Sequence, residues 1–139
     1  MSRIINPDSV GKERNRLIRG VALAVRELAH QTEPGDESRD LVAFIVLALD
    51  IISGTIDNSV SAWEKRGYWV KADKFRMEWA WAADYAEKLR ASLVANDWKL
   101  IVSITSQLPQ KLHHVTVRPG NRLGKPWVGA WKHFLNQNK

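Results

Sequence analysis

The fold is decided by a run of nine apolar residues, Leu41-Val-Ala-Phe-Ile-Val-Leu-Ala-Leu49. A helix that is apolar on every side has to be surrounded by protein, so this run predicts a central helix. A buried strand is the alternative, but the run is rich in Ala and Leu. Helical spacing also continues beyond it, at Ile52, Ile56, Val60 and Trp63. We therefore predict a helix from about Glu37 to Arg66, with Asp36 or Ser38 as N-cap and Gly67 as its stop.

The first predicted helix is amphipathic. It starts after Pro7, with Asp8 or Ser9 as N-cap. Its apolar stripe has spacings of 7, 4, 3 and 4 residues and consists of Val10, Leu17, Val21, Ala24 and Leu28. Such a stripe buries one face of a helix against the rest of the protein.

Two more helices follow the central one. The third is predicted from about Tyr68 to Val94, with an apolar face formed by Tyr68, Phe75, Trp79, Ala82, Ala86, Leu89 and Leu93. The fourth is predicted from Trp98 to Gln107, capped by Asn96 or Asp97 and ended by Pro109.

The C-terminal part differs from the rest of the chain in composition and in hydrophobic pattern. Residues 115–125 are rich in Pro and Gly, without helical period, and predict a loop. Pro126 suits the first position of a short helix that docks on the rest. The predicted fold is all-α: one domain over residues 1–139, with an antiparallel four-helix bundle at about 8–114, and a basic loop with a short docking helix at about 115–139.

The charge of the chain is unevenly distributed. The 139 residues carry a formal net charge of +6, but the last acidic residue is Asp97. All the net basicity therefore lies in the final third of the chain. The first residues contain no apolar stretch of signal-peptide length and the longest apolar run is too short to span a membrane, so we expect a cytoplasmic protein without membrane contact.

Catalytic and cofactor signatures are missing from the sequence. There is no cysteine, which excludes disulfides and thiolate metal sites. Glu27 and His30 form the only Glu-x-x-His pair, whereas a di-metal bundle needs such pairs on facing helices. No nucleophile or phosphate-loop motif occurs. We expect no catalytic residue, no metal and no cofactor, and the sequence favours a protein without enzyme activity over an enzyme.

Two helices each have a stripe of like charges, in which charged residues recur every seven positions. The first helix carries Lys12, Arg19 and Arg26, and the second carries Asp50, Asp57 and Glu64. At 1.5 Å per residue, the acids are about 10.5 Å apart, too far to share one ion. Solvated faces are the favoured interpretation; pairing of the two stripes across a helix interface is the alternative.

Seven tryptophans are unusually many for this length. Trp63 and Trp79 lie on apolar stripes and are assigned to the core. Trp69 and Trp81 lie off the stripe of the third helix, and off-stripe tryptophan is a favoured interface anchor. We therefore predict a homo-oligomer that buries these two residues; a Trp-lined ligand pocket is the competing interpretation.

The acid-free tail combines cations with aromatic rings. The candidate partner-binding residues are Arg118, Arg122, Lys125, Trp127, Trp131 and Lys132. Such a stretch can grip phosphates and stack on bases. It can equally close over the acidic surface of residues 33–64.

The sequence thus predicts a non-enzymatic helical interaction protein that self-associates and presents its basic tail to an acidic partner. Nucleic-acid binding through the tail and a small-molecule-binding or enzymatic bundle with a Trp-lined pocket remain the two alternatives.

Overall fold

The computed structural model describes the backbone of residues 7–137 and the side chains from Val10 onward. Within this range the chain is all-helical and contains no strand, as predicted. Three long helices are followed by three short ones: α1 (Pro7–Ala29), α2 (Asp36–Lys65), α3 (Trp69–Val94), α4 (Trp98–Thr105), α5 (Leu108–Lys111) and α6 (Ala130–Gln137).

Helix α2 lies at the centre and contacts α1, α3 and α6. Its apolar run explains this position, because Leu41, Ile45 and Leu49 are fully buried. The predicted fourth helix, α4, ends at Thr105 and packs on α3 and α5. With eight residues it is far shorter than α1, α2 and α3.

Several helix ends follow the predicted signals. Gly67 follows α2 with a φ of +80°, a conformation that glycine adopts without strain. Asp97 caps α4, accepting a hydrogen bond from the Leu100 N–H at 3.1 Å. The cap predicted for α2 is wrong: Gly35 precedes the helix, and the buried Ser38 donates instead to Gln31 Oε1 at 3.2 Å.

Other ends differ from the prediction. α1 begins at Pro7 itself, so the predicted caps Asp8 and Ser9 lie inside it, and their side chains are outside the described residues. Pro109 lies in the first turn of α5 instead of ending α4. Tyr68 precedes α3 and is exposed, so it does not belong to the buried face.

Helix α6 begins at Ala130, four residues later than the predicted start at Pro126. Its first turn is anchored by a side chain of α2: Asp40 accepts hydrogen bonds from the N–H groups of Gly129 at 3.3 Å and Trp131 at 2.9 Å. A carboxylate at this place satisfies amides that have no partner within the helix and complements the helix dipole.

Residues 115–129, which we call the strap, lead from α5 towards α6, and both ends of this segment lie beside α1. The strap starts beside Ile18 and Trp79 on one side of α1. It reaches Phe44 on the other side, where Pro126 packs near Gly20. A Cβ at Gly20 would lie 3.0 Å from the Phe44 ring and 3.8 Å from Pro126, so glycine permits this close approach.

Among the described residues, no helix combines the length and the apolar composition that crossing a bilayer requires.

Candidate anion-binding site

A basic cleft runs along the N-terminal half of α1. Lys12, Arg16 and Arg19 follow one another at spacings of 4 and 3 residues, which places them on one face of the helix. All three side chains are exposed. The cleft has a volume of about 660 Å³, and its other lining residues are Asn15, Ile18, Trp79, His114, Val115 and Thr116. No acidic residue is among the described residues that line it.

The cations of this cleft have no counter-ions among the described side chains, unlike the two arginines of α3. On α3, Arg90 pairs with Asp50 and Arg76 pairs with Glu64 at 3.2 Å. In the part of the chain whose side chains are described, no ion pair involves Lys12, Arg16 or Arg19. Their charge is therefore available to an external anion.

The acidic stripe of α2 consequently pairs with α3 and not with the basic stripe of α1. A hydrogen bond from Arg76 to Asp73 at 2.5 Å raises the pKa of this arginine, while desolvation acts in the opposite direction. Of the stripe, Asp57 is exposed and belongs to no ion pair among the described side chains. The predicted alternative, pairing of the two stripes, is wrong for Asp50 and Glu64.

Arg14 also lies on α1, but its side chain points inward and is held by contacts with α2 and α3. Its guanidinium donates to Thr55 Oγ1 at 3.0 Å and Ser59 Oγ at 3.3 Å, and it lies over the Phe75 ring. Burial lowers the pKa of Arg14 from its ordinary value. An arginine nevertheless stays charged in proteins. Arg14 thus joins α1, α2 and α3 and is not available to a ligand.

Trp79 forms the aromatic wall of the basic cleft. Its indole is partly buried and stacks on Trp81 with ring centroids 5.9 Å apart. The sequence assigns Trp79 to the core, and the structure shows that it packs on the core and lines the cleft. Neither Trp79 nor Arg16 is predicted as a site residue, although the spacing of Arg16 from Lys12 and Arg19 is a signal for one helix face.

The predicted cations of the tail are exposed. Arg118, Arg122 and Lys125 belong to the strap, between Thr116, which lines the cleft, and Pro126, which lies near Gly20 of α1. None of these three predicted residues lines the cleft, although the strap that contains them begins there. Lys132 is also exposed, but it belongs to α6, which packs on α2.

The two predicted aromatic residues of the tail lie elsewhere. Trp127 is only 3% exposed, and its Nε1 has no hydrogen-bond partner among the described residues. Trp131 is partly buried, with its ring stacked on Phe134 at 5.7 Å. Since both indoles pack on the core, they anchor the tail in this conformation and leave Trp79 as the ring beside the cations.

The predicted interface residues Trp69 and Trp81 are not brought together. Trp69 is 58% exposed and lines an open aromatic cleft of about 910 Å³ at the start of α3, with Trp63, Tyr68 and Val70. Trp81 lies twelve residues farther along α3, where Trp79 and Tyr85 contact its ring. Only Trp69 presents most of its ring to solvent.

Histidines and carboxylates are scattered in the described part of the chain. No group of three or more is placed to hold a metal ion there. His113 and His114 have adjacent rings, 5.4 Å apart, without a nearby carboxylate cluster.

Comparison with protein-family models, with curated proteins and with solved structures finds no match for this chain. The residues of the site are therefore the basis for inferring its function.

Proposed function

We propose that the protein is a non-enzymatic interaction protein that binds an acidic partner through a basic face. We define this face as Lys12, Arg16, Arg19 and Arg26 of α1 together with Arg118, Arg122 and Lys125 of the strap. In this proposal, the antiparallel four-helix bundle predicted from the sequence is the scaffold that holds the basic face, with α4 as its short fourth helix.

One observation supports this proposal above the others: Lys12, Arg16 and Arg19 line one cleft that has no acidic residue among its described lining, and none of the three belongs to a described ion pair. Cations clustered on one face repel each other, and an anionic partner relieves that repulsion. Binding through such a face releases counterions, so its affinity falls as salt rises.

The test compares two variants with the same loss of charge. The strap variant replaces Arg118, Arg122 and Lys125 with Gln, and the control variant does the same to Lys65, Arg66 and Lys74 near the start of α3. Binding to poly-L-glutamate and to oligothymidylate is measured by fluorescence anisotropy over a salt series.

We expect at least one of these polyanions to bind, with the strap variant at least tenfold weaker and the control variant changed by less than about threefold. Absence of salt-sensitive binding to both polyanions, or equal weakening in the two variants, would contradict the proposal.

Self-association is a second candidate function, favoured by the exposed apolar surface at the start of α3. Tyr68, Trp69, Val70 and Met77 are all more than half exposed. Large apolar side chains grouped in this way are typical of protein interfaces. Light scattering tests the proposal, because self-association predicts a mass of at least twice the 15.8 kDa of one chain.

A further inference from the structure

The two walls of the basic cleft have different chemistry. Lys12, Arg16 and Arg19 form a cationic wall, and Trp79 forms an aromatic wall opposite. The Arg19 Nε donates to the Asn15 carbonyl at 3.3 Å, which orients its guanidinium along α1 and leaves the terminal amino groups for a ligand. Thr116 and His114 are two further polar residues of the cleft's lining.

A ligand that fits both walls has anionic groups and flat unsaturated rings along one flexible chain. We propose that this cleft binds single-stranded nucleic acid, with phosphates on the α1 cations and a base against Trp79. Positively charged grooves with aromatic rings are the usual means of binding single strands. A peptide of Asp and Glu alone lacks the rings, and a duplex keeps its base faces stacked inside. This inference rests on the proposed function and names the class of partner.

The strap extends the cationic path beyond the cleft. It begins at Val115 and Thr116, which line the cleft, and the exposed Arg118, Arg122 and Lys125 follow before the chain reaches Pro126 near Gly20 of α1. A strand that enters beside Trp79 therefore meets further cations as it leaves. Each phosphate neutralised on a single strand contributes about 0.7 to the slope of log K against log salt.

The decisive variant is Trp79→Leu, which keeps an apolar side chain against the core and removes the stacking surface. We expect the affinity for oligothymidylate to fall about 5- to 150-fold, which corresponds to the loss of one stacked base. Affinity for poly-L-glutamate should change by less than twofold, because carboxylates use only the cations. Arg16→Gln should weaken binding of both polyanions.

Trp98→Leu is the matched control. Trp98 is also partly buried, and its Nε1 donates to Asn96 Oδ1 at 2.8 Å, but it lines a separate groove beside α4. This variant should bind oligothymidylate like the unmodified protein.

A second measurement does not depend on the folding of any variant. Ultraviolet cross-linking of oligothymidylate to the unmodified protein should label the peptide that contains Trp79 and the region of residues 12–19. Cross-links confined to other peptides, or full oligothymidylate affinity in a folded Trp79→Leu protein, would overturn the inference.

The outcomes also separate the two proposals. Salt-sensitive binding of poly-L-glutamate without binding of oligothymidylate overturns the single-strand inference and leaves the proposed function standing. Failure of both polyanions to bind overturns both.

Discussion

At the scale of single residues, Asp40 links the tail to the body of the protein. It lies on α2 and caps α6, a helix that begins ninety residues later in the chain. Capping side chains are ordinarily found within a few residues of the helix start. Sequence patterns therefore identify Asp97 as a cap for α4 but give no signal for Asp40, because its role depends on tertiary contact.

Replacing Asp40 with Ala should release the start of α6. Because two amides lose their acceptor, we expect the free energy of unfolding to fall by about 1 kcal/mol, measured by urea denaturation. Hydrogen exchange of the amides in residues 131–137 should accelerate more than exchange in α2.

Asp57→Ala provides the control, since Asp57 is an exposed carboxylate on the same helix. Its stability should stay within about 0.5 kcal/mol of the unmodified protein. Equal destabilisation by the two substitutions would show that the hydrogen bonds of Asp40 do not anchor the tail.

At the scale of elements, periodicity predicts the long helices well and the tail poorly. The buried stripes of α1, α2 and α3 recur at helical spacing, so their existence and their inward faces follow from local sequence. The path of the strap does not, because its contacts with Gly20 and Phe44 join residues distant in the chain. For the same reason, the sequence does not show that Trp127 is buried and that Trp79 lines the cleft.

Two glycines in helix interiors test whether the strap packs on α1 as described. A Cβ at Gly54 of α2 has nothing within 4 Å, so Gly54→Ala should stabilise the protein by about 0.5–1 kcal/mol through reduced backbone entropy loss. Gly20→Leu should instead destabilise it by about 1–3 kcal/mol, because the larger side chain collides with Phe44 and Pro126.

Thermal or urea unfolding of both variants measures these changes. Gly54→Leu is the control matched in size, because a side chain at Gly54 has open space around its Cβ. If Gly20→Leu were as stable as Gly54→Leu, the strap and Phe44 would not approach α1 at Gly20 as closely as described.

At the scale of the whole molecule, carboxylates of α2 have partners within the chain, whereas many of the cations do not. The α2 carboxylates Asp50 and Glu64 pair with α3 and Asp40 holds α6, whereas the cations of α1 and the strap have no described acidic partner. Cations without a described acidic partner are not confined to the basic face, because Lys65, Arg66 and Lys74 also belong to no ion pair among the described side chains. The exposed apolar surface at Trp69 belongs to a different part of the molecule, since it lies at the turn between α2 and α3.

Self-association through that surface predicts different effects for the two off-stripe tryptophans. Trp69→Ala should lower the association constant of the dimer at least tenfold. It should leave the free energy of unfolding of the monomer nearly unchanged, because the ring is mostly exposed. Trp81→Ala should mainly reduce stability, by about 1–3 kcal/mol, because its ring packs on Trp79 and Tyr85.

Light scattering over a concentration series, combined with thermal unfolding of the same samples, separates the two effects. In the Trp69→Ala protein, Trp81 still covers Tyr85 and Trp79. A lower molar mass of this variant in light scattering therefore reports on the interface. A mass of 15.8 kDa for the unmodified protein at high micromolar concentration would rule out self-association, and it would leave the basic face as the interaction surface that the structure supports.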